Sequence, residues 1–236
     1  LGADYSFFSF NFMKNFHTIV GGALHVKNEK NLKHLKIKQL NLIDFNKITI
    51  IKTALKYIII KIISDKYLFR LFFYFLIKKI EYKNIKFFKK FIYPGFFGGE
   101  LDKKAFNYRI NKFGKIFFPT KTSEISEDID LRKKKSLLYF KNLKQNKKII
   151  LFDPNNIESI NLEYLLIIKK DFKKLYKFLL NKKIYLRQHW YKNNYEKMTN
   201  SNFLSKNCLL LPTHENITEA NVVYISKVIN KFYETL

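Results

Sequence analysis

Ser9-Phe10-Asn11-Phe12-Met13-Lys14-Asn15, with Gly21-Gly22 a short way beyond, decides the reading of this sequence. The segment begins inside Tyr5-Ser6-Phe7-Phe8-Ser9-Phe10, whose aromatic density predicts a buried strand. After the glycines comes a second strand-like run, Ala23-Leu24-His25-Val26. Lys14 therefore falls in the connection between two expected strands. A lysine on such a strand-loop, with its pKa lowered by burial or cationic neighbours, is suited to nucleophilic and proton-transfer work. One lysine among 41 would by itself be surface charge; Ser9 before it and the glycine pair after it single this one out. The glycines allow a tight backbone path, which a plain turn would use equally well.

Outward from that segment, composition bounds the answer. The chain has 236 residues, 47% hydrophobic and 27% charged, which suits a folded protein with one or two cores. Its formal net charge of +26 invites a nucleic-acid reading. The residues that carry the charge argue against it. Only Arg70, Arg109, Arg132 and Arg187 are arginines, and arginine is the usual tool for bidentate contacts to bases and phosphate. Lysine, isoleucine, asparagine, phenylalanine and tyrosine abound together, as an AT-rich coding sequence would produce. The charge should still attract anionic small molecules. Cys208 is the single cysteine, so no disulfide or cysteine-based zinc site can form within the chain, which suits a cytoplasmic location. The chain opens at Leu1 with no basic-then-apolar leader, and the expectation is a fragment whose beginning is missing.

Along the chain, Lys27-Asn28-Glu29 reads as a turn, with a basic helix from Asn31. Ile48, Ile51, Leu55, Ile58, Ile59, Ile62 and Ile63 recur at helical spacing, with Lys52 and Lys56 on another face. Tyr67 to Ile77 is apolar apart from Arg70. Lysines or Arg70 interrupt every window long enough to span a bilayer. The region reads as a buried helical pair, the alternative being a basic amphipathic insert on an anionic membrane surface. Pro94-Gly95 and Gly98-Gly99 mark a loop ahead of Phe106-Asn107-Tyr108-Arg109. An acidic start at Ser123 leads into a helix reaching about Lys144. Strands are expected over Leu162 to Ile168, Ile184 to Trp190 and Leu209 to Leu211. Asp171 is placed to cap a helix bearing Phe172, Leu175 and Leu179, and Thr218 one bearing Val222, Ile225, Ile229 and Phe232. This is a small α/β layer.

Three motifs in order carry a family resemblance. Ser9 to Asn15 with Gly21-Gly22 resembles the cofactor-lysine segment of the DegT/StrS family of sugar aminotransferases. Asn107-Tyr108-Arg109 resembles that family's Asn-Tyr-Arg motif, and Leu211-Pro212-Thr213-His214 its closing Leu-Pro-x-His segment. The resemblance implies an α/β fold-type I transferase dependent on pyridoxal 5'-phosphate (PLP). It would hold an incomplete large domain over residues 1–128, with a helical insert at about 48–93, and a small domain over 129–236. It implies that Lys14 forms an imine with the cofactor aldehyde and is the catalytic base and acid. It implies that Ser9 donates to the cofactor phosphate and that Asn107 reaches the same phosphate in the neighbouring subunit of a homodimer. The implied reaction moves an amino group, from glutamate, to a nucleotide-linked keto sugar for surface polysaccharide or related glycans.

The resemblance has departures. Asn11 stands where the family has histidine, and Ile19-Val20 where it has Gly-Glu. The residues that stack on the cofactor ring, pair with its nitrogen and make the first phosphate loop lie upstream in the family, so the fragment alone should be nearly inactive. His189 beside Trp190 resembles a His-aromatic stretch near the family's site, although a satisfied structural histidine is the favoured reading. His17, His25, His34 and His214 show no metal-ligand spacing. The competing readings are a non-enzymatic basic protein binding a membrane surface or nucleic acid, and an inactive truncated aminotransferase.

Overall fold

The computed structural model describes residues 3–9, 21–44, 46–63, 65–68, 71, 74–83, 108–109, 112, 123–156, 162–186 and 199–235. The chain divides into two compact units, Leu1–Thr120 and Lys121–Leu236.

In the first unit, β1 (Tyr5–Ser9) and β2 (Gly22–Val26) form an antiparallel pair with Tyr5 opposite Val26 and Ser9 opposite Gly22. The aromatic residues of β1 do not form the buried strand expected of them. Phe7 is 81% exposed, and Tyr5 and Phe8 are also open, because a two-stranded ribbon has no layer on either face unless something packs there. Asn28 then caps α1 (Glu29–Leu40), its side chain accepting from the backbone N–H of Lys30 at 2.8 Å and of Asn31 at 3.3 Å. The helix therefore starts two residues before Asn31. Beyond it, β3 (Ile43–Asp44) pairs in parallel with β4 (Tyr108–Arg109).

The apolar region expected to be a buried pair is helical, as α2 (Lys47–Ile63), a short α3 (Lys66–Leu68) and α4 (Tyr74–Lys83). Ile50, Tyr74 and Ile77 are buried. The stripe Ile48, Ile51, Leu55, Ile58, Ile59 and Ile62 is not; each of these is 47–59% exposed. Ile50 lies about 130° from the middle of that stripe on a helix of 100° per residue, so α2 packs inward by one face and leaves its wider apolar face outside. Among the described residues no helix is long and apolar enough to cross a membrane.

In the second unit, an antiparallel sheet in the order β5-β6-β7 is built from Ile149–Leu151, Glu163–Ile168 and Cys208–Pro212. Its register sets Ile149 opposite Ile168, Glu163 opposite Pro212 and Ile167 opposite Cys208. Three helices complete the layer with α5 (Ser123–Asn142), α6 (Phe172–Asn181) and α8 (Glu219–Glu234), and α7 (Thr199–Asn207) precedes β7. The core joins Tyr139, Leu143, Leu166, Ile168, Leu175, Leu179, Leu209, Leu211, Val222, Ile225, Ile229 and Phe232. All four apolar residues read from the sequence for the last helix are in it.

Two further expectations meet a different structure. Asp171 precedes α6 but makes no capping hydrogen bond: its φ of 63° is left-handed, and its carboxylate pairs with Lys174 at 3.1 Å instead. Ile184 to Leu186 forms no strand, and the rest of the run to Trp190 lies outside the described residues. Thr218 caps α8 as expected, in a reciprocal box with Asn221.

Candidate functional site

The first part of the candidate site is the end of the β1–β2 ribbon. Pairing of Ser9 with Gly22 fixes both ends of the connection that carries Lys14. Gly21, just outside the pair, has φ 115°, a conformation that a Cβ would oppose and glycine adopts freely. That requirement explains at least one of the two glycines. The backbone of Ser9 is described; Lys14 itself lies outside the described residues, as does His17.

The second part is the Asn-Tyr-Arg segment. Tyr108 and Arg109 lie beside Ile43 and Asp44 in the parallel bridge, and Arg109 Nε donates to Asp44 Oδ1 at 2.8 Å. Arg109 is thus tied to a carboxylate of the same unit. Asn107, the residue expected to reach a phosphate, lies outside the described residues. Asp44 was not legible as a partner, since nothing local in the sequence links positions 65 apart.

The closing Leu-Pro-x-His segment belongs to the second unit, at the exit of β7, and is described by itself. Thr213 is fully buried, and its Oγ1 donates to the Leu162 carbonyl at 2.8 Å. One Arg132 N–H donates to that same carbonyl at 2.8 Å, while Nε pairs with Asp128 at 2.7 Å. Tyr139 donates its hydroxyl to the Pro212 carbonyl at 3.2 Å, and Lys135 Nζ donates to the His214 carbonyl at 2.7 Å. Asp128, Arg132, Lys135 and Tyr139 follow one another at spacings of four, three and four along α5, which places them on one helix face. That spacing was the signal available in the sequence, and only the length of the helix was read from it.

This cluster is electrostatically tense. Lys135 is 2% exposed, and burial, with the neighbouring Arg132 charge, lowers its pKa against the pull of Asp128, Glu215 and Glu219. His214 keeps an exposed surface, yet the protein around its ring, and then Arg132 and Lys135, lower its pKa as well. Its ring therefore favours the neutral form, which can accept a proton or a hydrogen bond. Tyr139 stacks on Tyr164 with centroids 5.6 Å apart, and burial pushes the Tyr164 hydroxyl up to about 12. No group of three or more metal-ligating side chains gathers among the described residues. His189 lies outside them. Ser9, Lys14 and Asn107 all belong to the first unit.

No protein-family model matches the sequence, and no curated protein matches it. Solved structures do match. PseC of Helicobacter pylori, an aminotransferase involved in the biosynthesis of pseudoaminic acid, aligns with a TM-score of 0.61 at 16% identity, over 99% of this chain and 54% of its own. DesI, solved in the presence of its TDP-sugar product, aligns with a TM-score of 0.59 at 13% identity, over 99% of this chain and 51% of its own. A DegT DnrJ EryC1 StrS aminotransferase from Brucella abortus aligns with a TM-score of 0.56 at 14% identity, over 97% and 51%. The chain spans about half the length of these proteins, and over that span its fold is theirs, the α/β fold of the sugar aminotransferases that its three motifs resemble.

Proposed function

We propose that this chain is the later part of a PLP-dependent sugar aminotransferase of the DegT/StrS family. The observation that carries the reading is the pairing of Ser9 with Gly22 on either side of Lys14, in a chain with the fold of sugar aminotransferases. The residue types suit a phosphorylated aldehyde. Lys14 supplies the amine that carries it, Ser9 a strand-end hydroxyl for its phosphate, and Asn107 an amide donor toward the phosphate of a second subunit. Bound there, PLP supplies an electron sink that lets an amino group be exchanged.

The protein's own residues then have defined tasks. With the cofactor bound, the Lys14 amine would take the proton from the substrate carbon that bears the amino group as base and then release it as acid. Ser9 holds the phosphate end so that the reacting carbon stays within reach of that amine. Arg109, held by Asp44, stiffens the segment that follows Asn107. The amino donor is glutamate and the acceptor a keto sugar carried on a nucleotide, used in surface polysaccharide or related glycan synthesis in the cytoplasm. The positive charge of the chain favours the approach of such an anionic substrate. The working unit is a homodimer with shared sites.

Borohydride reduction of the whole protein loaded with PLP, followed by peptide mapping, tests this. The pyridoxyl group is expected on Lys14, and Lys14→Ala should abolish amino transfer. Label on any other lysine refutes the assignment.

A further inference from the structure

The apolar stripe of α2 has a border of charge that the sugar chemistry does not use. At 100° per residue, Ile48, Ile51, Leu55, Ile58, Ile59 and Ile62 fall within an arc of about 100°. Lys47 lies about 20° beyond one edge of that arc and Lys52 about 20° beyond the other. Both lysines are exposed, as is every residue of the stripe. The helix also carries Lys56 and Lys61, and it contains no acidic residue from end to end. An apolar face flanked on both sides by cations, on a helix without carboxylates, complements a surface that is apolar beneath a layer of negative charge.

We propose that α2 docks on an anionic lipid surface, lying in the interface with its isoleucine and leucine stripe among the acyl chains and Lys47 and Lys52 at the headgroups. Among the described residues no helix is able to cross a bilayer, so the contact is peripheral. A second copy of the chain would present the same lysines and the same absence of carboxylates across the interface, and like charges would oppose it. The lipid reading is independent of the reaction proposed above, because it uses neither Lys14, Ser9 nor Asn107.

The test is flotation of the whole protein with phosphatidylcholine vesicles, with and without a minority of phosphatidylglycerol. Binding is expected to the anionic vesicles at low salt, to be weak on the neutral ones, and to fall as salt screens the headgroups. The net charge alone would draw this protein to an anionic vesicle, so the deciding variant leaves charge unchanged. Ile51→Ser with Leu55→Ser should lower the partition coefficient by about tenfold or more, because two aliphatic side chains no longer leave water. Lys47→Gln with Lys52→Gln should also lower it by roughly tenfold on anionic vesicles only. Both pairs replace exposed residues, and far-UV circular dichroism should show the helix content of the parent. The proposal is overturned by no binding, by equal binding to both vesicle types, or by a serine pair that binds as well as the parent. It is likewise overturned if the serine pair dissolves a dimer and leaves lipid binding untouched, which would assign the face to a second copy.

Discussion

Replacing Lys135 with methionine keeps the length of the side chain and removes its charge, so it isolates one buried cation. Two effects compete. The Lys135 ammonium donates to the His214 carbonyl at 2.7 Å, and a hydrogen bond from a charged donor contributes about 1.5–3 kcal/mol. Against that stand the burial of the charge and the nearness of Arg132, the two causes that lower its pKa. Water can reach the exposed His214 segment and satisfy part of the orphaned carbonyl. The expected net loss is about 1 kcal/mol, a fall of roughly 0.5 M in the urea midpoint for a slope near 2 kcal/mol per M. The pH dependence supplies the sharper check. A lysine whose folded pKa lies below its ordinary 10.5 binds fewer protons folded than unfolded between the two values. The parent's stability therefore rises with pH across that window, while the variant lacks this contribution. Below the folded pKa the cost of the buried charge is present in full. Urea titrations followed by circular dichroism at neutral pH and near pH 10 should show the gap between parent and variant widening with pH. A variant at least as stable at neutral pH, or a gap that narrows as pH rises, refutes the balance drawn here.

Gly21→Ala should lower the urea midpoint by an amount worth about 1–2 kcal/mol, because a Cβ opposes the φ of 115°; an unchanged midpoint would show that the turn does not need glycine. Cys208 is fully buried with its thiol pushed up to about 11, so Ellman's reagent should react with it at neutral pH only at the rate of unfolding. Fast labelling in native buffer would contradict that burial. Mixing inactive Lys14→Ala and Asn107→Ala subunits should restore part of the amino-transfer activity, since a mixed dimer holds one site free of both changes. No recovery after confirmed subunit exchange would refute the shared site.

The parts of this molecule that were legible in the sequence are those in which a local signal and a burial pattern coincide. Thr218 ahead of Val222, Ile225, Ile229 and Phe232 gave the last helix its start and its inner face, and both are found. At Asp171 the position was right and the chemistry was not, because a left-handed backbone turns the carboxylate away from the helix N–H groups. The strand Ile149–Leu151 went unread, being too short for alternation to register. Aromatic density in Tyr5 to Phe8 identified a strand but not its burial, which depends on whether a second layer is present rather than on the strand's own residues. The helices of the 48–83 region were visible in their periodicity, but periodicity marks an apolar face without saying which way it points. Of the site, Ser9 and Gly22 are found at paired strand ends with Gly21 just outside, and Lys14 and Asn107 remain assigned by resemblance. The Asp44–Arg109 pair depends on a parallel bridge between distant segments, which no local pattern encodes.

Arg132, Lys135 and Tyr139 make α5 a ruler against which two separate turns of chain are measured. Arg132 holds the approach to β6 at the Leu162 carbonyl, while Tyr139 and Lys135 hold the departure from β7 at Pro212 and His214. Between the first and last of these anchors the helix rises about 10 Å, and their common direction depends on the count of residues between them. Loss or gain of one residue there would swing the later anchors about 100° around the axis, out of reach of both turns. The exposed Lys133 and Lys141, on other faces of α5, have no such spacing to keep. Base composition can therefore load the outside of this helix with lysine, while the spacing along its inner edge is set by the two turns of chain that it holds.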